Sequence, residues 1–436
     1  MSDFSNIIKK GLLIGIFAIL FLPLIQNAVL LIVLPDLKGS IVYPNDVSFS
    51  KETWFNAEYQ QKKEEYLNSM FGFRSLFVRA NNQLAYSLFN KAKANGVIIG
   101  KESYLYEINY IIDYTGANYV GDEKINEISN KLKFISDTLK KINKELLILF
   151  APGKASFYPE YIPDNYLPVK NISNYNALYD KVSKLGINHI NFGKWFTSSK
   201  GKTKYPLYPQ HGIHWSWYGA ALAGDSLIRY IENLRKIDLP DFKIESISTD
   251  QAKYGDYDVA DGMNLLFKFK SFDLAYPVIK IGDSTNKTKP KVLVISDSFY
   301  WTLENLGIQK CFSNSNFWYY NKQVFPESAT KELLTSSLNL KEELQNHEVI
   351  ILMASETSVK DIGWGFINEA YDFYKGTHTR IEKNSNYYKK VKELIIEIKN
   401  NAQWLIDTRN RAKERGISLD SCLILEAMWQ IDNTKK

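Results

Sequence analysis

From Gly11 to Leu34 the chain carries no charged residue, and this run of 24 residues constrains everything else in the sequence. At a rise of about 1.5 Å per residue, a helix of that length crosses the roughly 30 Å hydrocarbon core of a bilayer. Lys9 and Lys10 precede the run, while Pro35 and Asp36 come directly after it. The positive-inside bias therefore expects a cytoplasmic amino terminus and an extracytoplasmic remainder. The rival reading, a cleaved signal peptide, calls for a shorter apolar region and an Ala-x-Ala site, and the sequence after the run has no such site. Pro23, Gln26 and Asn27 interrupt the apolar pattern and mark a kink or a contact with a partner helix.

The chain as a whole has the composition of a folded, soluble protein. Hydrophobic residues make up 45% and charged residues 23%, which excludes a mainly disordered chain and a multi-span transporter. Lys and Arg number 54 against 48 Asp and Glu, with no basic stripe interleaved with aromatics, so nucleic acid is not an expected partner. Cys311 and Cys422 show no CxxC spacing, and five histidines are too few for a multinuclear metal site; no cofactor is expected. His211 and His214 would share a face only in a helix, and no third ligand is spaced with them. Aromatics at 14% suit stacking on sugar rings, although most aromatic residues pack cores.

Along the chain, residues 36–60 read as a polar linker and 52–95 as helix. VIIGKESYLYE (97–107) reads as a strand pair or turn. A helix over 123–143, with Ile125, Ile128, Leu132, Ile135 and Leu139 on one face, runs into the buried-strand pattern LLILF (146–150). Next come a helix over 174–185, a strand over 188–191 and a helix over 216–235. A less regular stretch spans 236–290, succeeded by the strand KVLVI (291–295), a helix near 300–307 and the strand VIILMA (349–354). Continuous apolar strands alternating with amphipathic helices imply an α/β fold with a mainly parallel sheet covered on both faces. Charged amphipathic helices are expected beyond about 384. The expected organisation is a cytoplasmic terminus and anchor (1–35), a linker and helical segment (36–95), an α/β domain (96–380) and C-terminal helices (381–436).

Catalysis in such sheets sits at the carboxyl ends of strands. Three Asp-Ser pairs compete: Asp225-Ser226, Asp283-Ser284 and Asp297-Ser298. Ser226 lies within an amphipathic helix, and Ser284 begins the Lys/Thr-rich run STNKTKPK. Only Ser298 comes after a buried strand and before a helix start. Such a junction exposes a hydroxyl and aims backbone N–H groups at a developing oxyanion, or it simply caps the helix. A serine nucleophile needs a base. His214, in QHGIHWSWYGA just ahead of the N-cap candidate Ser216, sits at the positive end of a helix, which favours a neutral imidazole. His189 lies in a predicted strand, and His347 and His378 in charged segments read as exposed.

KVLVISDSF (291–299), HWSWYGA (214–220), APGKASFYPEYIP (151–163), YLNSMFGFRSLFVRANNQLAY (66–86) and VIIGKESYLYE resemble the AlgJ/AlgX branch of SGNH-hydrolase-like proteins, which O-acetylate alginate and related exopolysaccharides. The resemblance spans about residues 20–375. It implies an SGNH-hydrolase-like three-layer sandwich between an N-terminal transmembrane helix and C-terminal helices. It also implies a tether to the bacterial inner membrane with the catalytic domain on the periplasmic side, a glycan acceptor, and an acetyl donor supplied through a multi-pass membrane O-acyltransferase. Carried over by position, Ser298 is the acyl-accepting nucleophile and His214 its base. Two departures stand out: Ser296 replaces the usual glycine before Asp-Ser, and Gly212 replaces the aspartate that orients the histidine. In YGDYDVADGMNLL (254–266), Asp256, Asp258 and Asp261 are available, and Asp258-Val259 occupies the Asp-hydrophobe position of the corresponding segment.

The expected reaction is a double displacement through acyl-Ser298, with His214 as base, Asp258 as orienting acid and Gly153 of the APGK loop as an added oxyanion donor. Trp215 and Tyr300 are the residues expected to touch sugar. Two alternatives stand beside it: a carbohydrate acetyl-esterase using the same residues with water as acceptor, and a non-catalytic glycan-binding partner of a membrane acyltransferase, suggested by Gly212.

Overall fold

The structure, a computed structural model, describes residues 2–39, 44–167, 170–376, 385–415 and 419–433. It divides into two compact units: Met1–Lys93 with Asp261–Phe267 and Asn386–Lys436, and Ala94–Ala260 with Lys268–Ser385.

The first unit begins with the helix Ser2–Val29, of which Asn6–Val29 has a mean hydropathy of 2.3 and is long enough to cross a membrane. The helix runs through Pro23 and stops at Val29, short of the end of the apolar run. Leu30 turns the backbone to a φ of 48°, and the Gln26 side-chain amide bonds both the carbonyl (2.6 Å) and the N–H (3.1 Å) of Ile32. Gln26 thus satisfies backbone groups released where the helix ends. The single helix expected over 52–95 is three: Lys51–Phe55, Glu58–Ser69 and Arg74–Phe89. The breaks fall at Ala57 and Phe73, both left-handed, where neither residue type announces a turn. The C-terminal helices Ser385–Asn400, Ala402–Arg415 and Leu419–Asn433 bury Val391, Ile398, Trp404, Leu423, Ile424, Ala427 and Met428 among themselves.

Among the described residues, the second unit holds ten strands. β1 (Val97–Ile99) and β2 (Leu105–Glu107) form an antiparallel hairpin. β3 (Glu145–Phe150) and β4 (His189–Asn191) come next, then a second hairpin of β5 (Phe242–Asp250) and β6 (Leu274–Ile281). β7 (Lys291–Ser296), β8 (Asn314–Tyr319), β9 (Gln323–Phe325) and β10 (Val349–Ala354) complete the set. The central sheet runs β4-β3-β10-β7-β8-β9, parallel except for the edge strand β9. Every residue of β10 is fully buried, so both faces are covered, as its unbroken apolar sequence requires. Leu146, Ile148, Phe150, Leu293, Ile295, Ile350 and Leu352 pack with the helices Asp122–Lys141, Asn174–Lys184 and Phe366–Lys375.

The stretch expected to be irregular over 236–290 contains the β5–β6 ribbon. Most of β5 is exposed, so pairing rather than a buried face defines it, and its sequence FKIESISTD lacks a clear apolar signal. β8 escapes notice because NSNFWY opens on three polar residues. At the site-bearing edge, Phe150 pairs with Ala354 and Met353 with Ser296, so the turns after β3, β7 and β10 leave the sheet side by side.

Candidate active site

Ser298 lies just past β7 in a tight turn before the short helix Tyr300–Asn305. Its neighbour Asp297 braces that turn: one carboxylate oxygen accepts the Phe299 N–H (3.1 Å), and the other accepts the Ser355 N–H (2.8 Å) at the end of β10. Asp297 therefore clamps adjacent strand ends together, and Ser298 is left facing a cavity of about 250 Å³. Of the rival pairs, Ser226 lies in the helix Trp217–Arg235 and Ser284 in the turn after β6.

Across the cavity, His214 places Nε2 at 2.9 Å from Ser298 Oγ although 84 positions separate the two. Its loop is held on every side. Ser216 caps the next helix by accepting the Gly219 N–H (3.0 Å) and donates to Pro206 O (2.8 Å). The Tyr208 hydroxyl donates to Ile213 O (2.9 Å), and the Lys154 ammonium donates to both Gln210 O and Gly212 O (2.7 Å each).

Asp258 stands on the far side of the imidazole. Its Oδ2 lies 2.6 Å from His214 Nδ1, and Oδ1 accepts the N–H groups of Ile213 (2.9 Å) and Val259 (2.7 Å). One carboxylate thus grips both the ring and the backbone that carries it. Asp256 is fully buried, and burial holds its carboxyl well above the ordinary carboxylate range; Asp261 belongs to the first unit. The glycine at 212 has a steric reason. A Cβ there would stand 2.5 Å from Gly255 O and 2.6 Å from the Asp256 carbonyl carbon. The segment that brings Asp258 to His214 fills the space a side chain at 212 would need.

Burial pulls the His214 imidazole toward its neutral form, but the Asp258 hydrogen bond and charge, joined by Asp297 and Glu107, outweigh it and leave the pKa raised above 6.5. The helix-end argument for a lowered value is overruled by a carboxylate in direct contact. Tyr320 lines the same cavity as Ser298, and burial keeps its phenol protonated.

The expected sugar contacts are not where the sequence put them. Trp215 is 1% exposed, wedged among Phe192, Phe196 and Phe299, and Tyr300 is 0% exposed against Phe317. Both are core residues, turned inward by the helices that begin beside them. Gly153 does not line the cavity; a Cβ there would meet Glu356 Oε2 at 1.8 Å. Its neighbour Lys154 is the residue of that loop that matters: fully buried, pushed down to about 7 by burial against the opposing pull of Asp258 and Glu107. His347, expected at the surface, is buried with its Nδ1 2.7 Å from Glu343 O; His211 is buried in a non-helical loop beside Tyr257 and Phe269. His378 lies outside the described residues.

Sequence reading missed Glu107, Asn109, Tyr110, Tyr320 and the run Ser355, Thr357 and Ser358, all lining the cavity beside the Ser298 hydroxyl. The first three come from the end of β2 and the start of the helix Ile108–Thr115, and the serines and threonine from the turn after β10. The continuous apolar strand VIILMA was the available signal for that last turn.

Residues 97–269 match the family described as SGNH hydrolase-like domain, acetyltransferase AlgX. The match takes in Glu107, Lys154, His214 and Asp258 and ends before Ser298. A curated relative, the probable alginate O-acetylase AlgJ of Pseudomonas putida, is 20% identical over 175 residues, 40% of this chain. The chain spans 44% of that relative's length. Among solved structures, the O-acetyltransferase domain of Pseudomonas putida AlgJ aligns with a TM-score of 0.42 at 14% identity, over 64% of this chain and 99% of that one. AlgX of Pseudomonas aeruginosa aligns with a TM-score of 0.44 at 14% identity, over 64% and 67%. The chain has an SGNH hydrolase-like fold, and over residues 97–269 it is similar to the family of the acetyltransferase AlgX.

Proposed function

We propose that this protein is a membrane-anchored O-acetyltransferase that moves acetyl groups onto a glycan through an acyl-Ser298 intermediate. The observation that carries the reading is the chain of contacts from Asp258 through His214 to Ser298, at 2.6 and 2.9 Å. His214 Nε2 takes the Ser298 proton as Oγ attacks the acetyl carbonyl of the donor, and the donor's leaving group departs with that proton. Asp258 fixes the tautomer with the proton on Nδ1 and stabilises the imidazolium that forms. The Ser298 N–H, with Asn109 on the same cavity wall, is available to the oxyanion, whereas the Phe299 N–H is spent on Asp297. In the second half, His214 takes the proton of a glycan hydroxyl, that oxygen attacks the acyl carbonyl, and Ser298 Oγ leaves with the proton.

The relatives' names, alginate O-acetylase AlgJ and acetyltransferase AlgX, support transfer over hydrolysis. By the same resemblance, the helix Ser2–Val29 anchors the chain in the inner membrane, the second unit works on the extracytoplasmic side, and a multi-pass membrane O-acyltransferase supplies acetyl groups. The test is an acetyl-ester assay on the full-length protein in detergent, with and without glycan acceptor. Acetate release that falls as acetylated glycan appears supports transfer; release that no acceptor diverts points to an esterase. Protease added outside intact spheroplasts should digest the second unit, and protection would overturn the orientation.

A further inference from the structure

We propose that the acceptor is a hydroxyl of an uncharged glycan rather than of a polyuronate, and that Glu107 sets this choice. The inference rests on the acetyl-transfer reading and adds the chemical class of its acceptor.

Glu107 ends β2 and stands at the N-cap of the helix Ile108–Thr115, yet its side chain makes no capping hydrogen bond. The Glu107 carboxyl is thus not spent on the helix end, and it lines the cavity that holds Ser298 Oγ. It is an acceptor left open toward the place where an incoming hydroxyl must sit.

The rest of the wall fits that ligand. Hydroxyls of Tyr110, Tyr320, Ser355, Thr357 and Ser358, with the Asn109 amide, supply donors and acceptors of the kind that pair with sugar hydroxyls. Besides Glu107, Asp258 contributes a second carboxylate, and no lysine or arginine is among the described residues of the lining. The nearby ammonium, Lys154, is turned away and committed to Gln210 O and Gly212 O. Alginate, the polymer in the name of the Pseudomonas putida relative, bears a carboxylate on every sugar. Such a group in this cavity would be a third carboxylate with no lysine or arginine to receive it, since His214 is already paired with Asp258, and like charges a few ångströms apart in a partly buried site disfavour one another. Burial, with the Asp258 charge, raises the Glu107 pKa, and His214 and Lys154 offset it only in part.

The test offers full-length protein, acetylated from nitrophenyl acetate, a cello-oligosaccharide and a mannuronate oligomer of equal length. The expected result is faster acetylation of the neutral oligomer by about tenfold or more, the discrimination that one unfavourable charge contact supplies. Glu107→Gln should narrow that ratio severalfold, and Glu107→Asp should retain it. Ser298→Ala protein, followed by ligand-observed NMR, should bind the neutral oligomer in preference to the uronate. Preferred use of the mannuronate by a protein that forms acetyl-Ser298 normally would overturn the acceptor assignment and leave the transfer reading standing. A ratio unchanged in Glu107→Gln would remove Glu107 from the role. Failure to form any acetyl-Ser298 would overturn both readings together.

Discussion

The turns after β3 and β7 leave the sheet at one edge, each from a strand that is almost wholly buried, and each places a polar side chain two to four residues on. The β7 turn holds Ser298 at a cavity mouth; the β3 turn folds Lys154 inward until it is fully buried beneath the histidine loop. Their chain patterns are alike, but their chemical duties differ. Ser298 stands against the His214 imidazole, whereas Lys154 fixes two carbonyls of the loop that carries that histidine. A sheet edge therefore supplies both the proposed nucleophile and the scaffold that aims its partner, and only packing decides which turn does which.

The comparison breaks most sharply at Ser298. Ser298→Ala or His214→Ala should cut acetyl turnover by about 10⁴-fold or more while thermal unfolding stays near wild type. Asp258→Asn is next: it keeps the shape and loses the charge, so turnover should fall about 10³–10⁴-fold. Gly212→Asp, which restores the carboxylate to its usual place in the family, should not rescue that loss. The new Cβ would press on the backbone of 255–256, so the melting temperature should drop instead.

Lys154→Met sharpens the other side. It strands two buried carbonyls, at a cost of about 1–3 kcal/mol of stability, and loosening the His214 loop should lower kcat by about 10–100-fold with little change in KM. A kcat loss matching that of Ser298→Ala would mean that Lys154 meets the reacting atoms and that the two turns are not divided as described.

The smallest effect is in pH. His214 must be neutral to act as base, and its pKa is raised, so the rate should climb with pH through a midpoint above 6.5. Removing the Asp258 charge leaves burial as the main influence, so the residual activity of Asp258→Asn should show that midpoint displaced downward. An unmoved or upward midpoint would detach Asp258 from the base.

Much of this was legible in the sequence for identifiable reasons. The strands LLILF and VIILMA are continuous apolar runs, and the junction after KVLVI singles out Ser298 from two rival Asp-Ser pairs. Asp258 was singled out from three acids by the family resemblance alone, because a physical choice among them needs the fold that lays 255–258 against Gly212. Trp215 and Tyr300 misled because an aromatic flanking a motif has the same sequence appearance whether it faces a sugar or a core. Glu107 and Lys154 were invisible as site residues. One looks like an ordinary strand end, and the other is a lysine whose burial depends on carbonyl partners more than fifty positions away. The β5–β6 ribbon lacked an apolar face to announce it.

The most direct measurement is peptide mass mapping of full-length protein quenched after exposure to nitrophenyl acetate without acceptor. An acetyl ester on Ser298 in wild type, absent from His214→Ala and discharged when glycan is added, is the predicted result. Acetate released with Ser298 unmodified at every time point, or acetyl trapped on a different side chain, would contradict it.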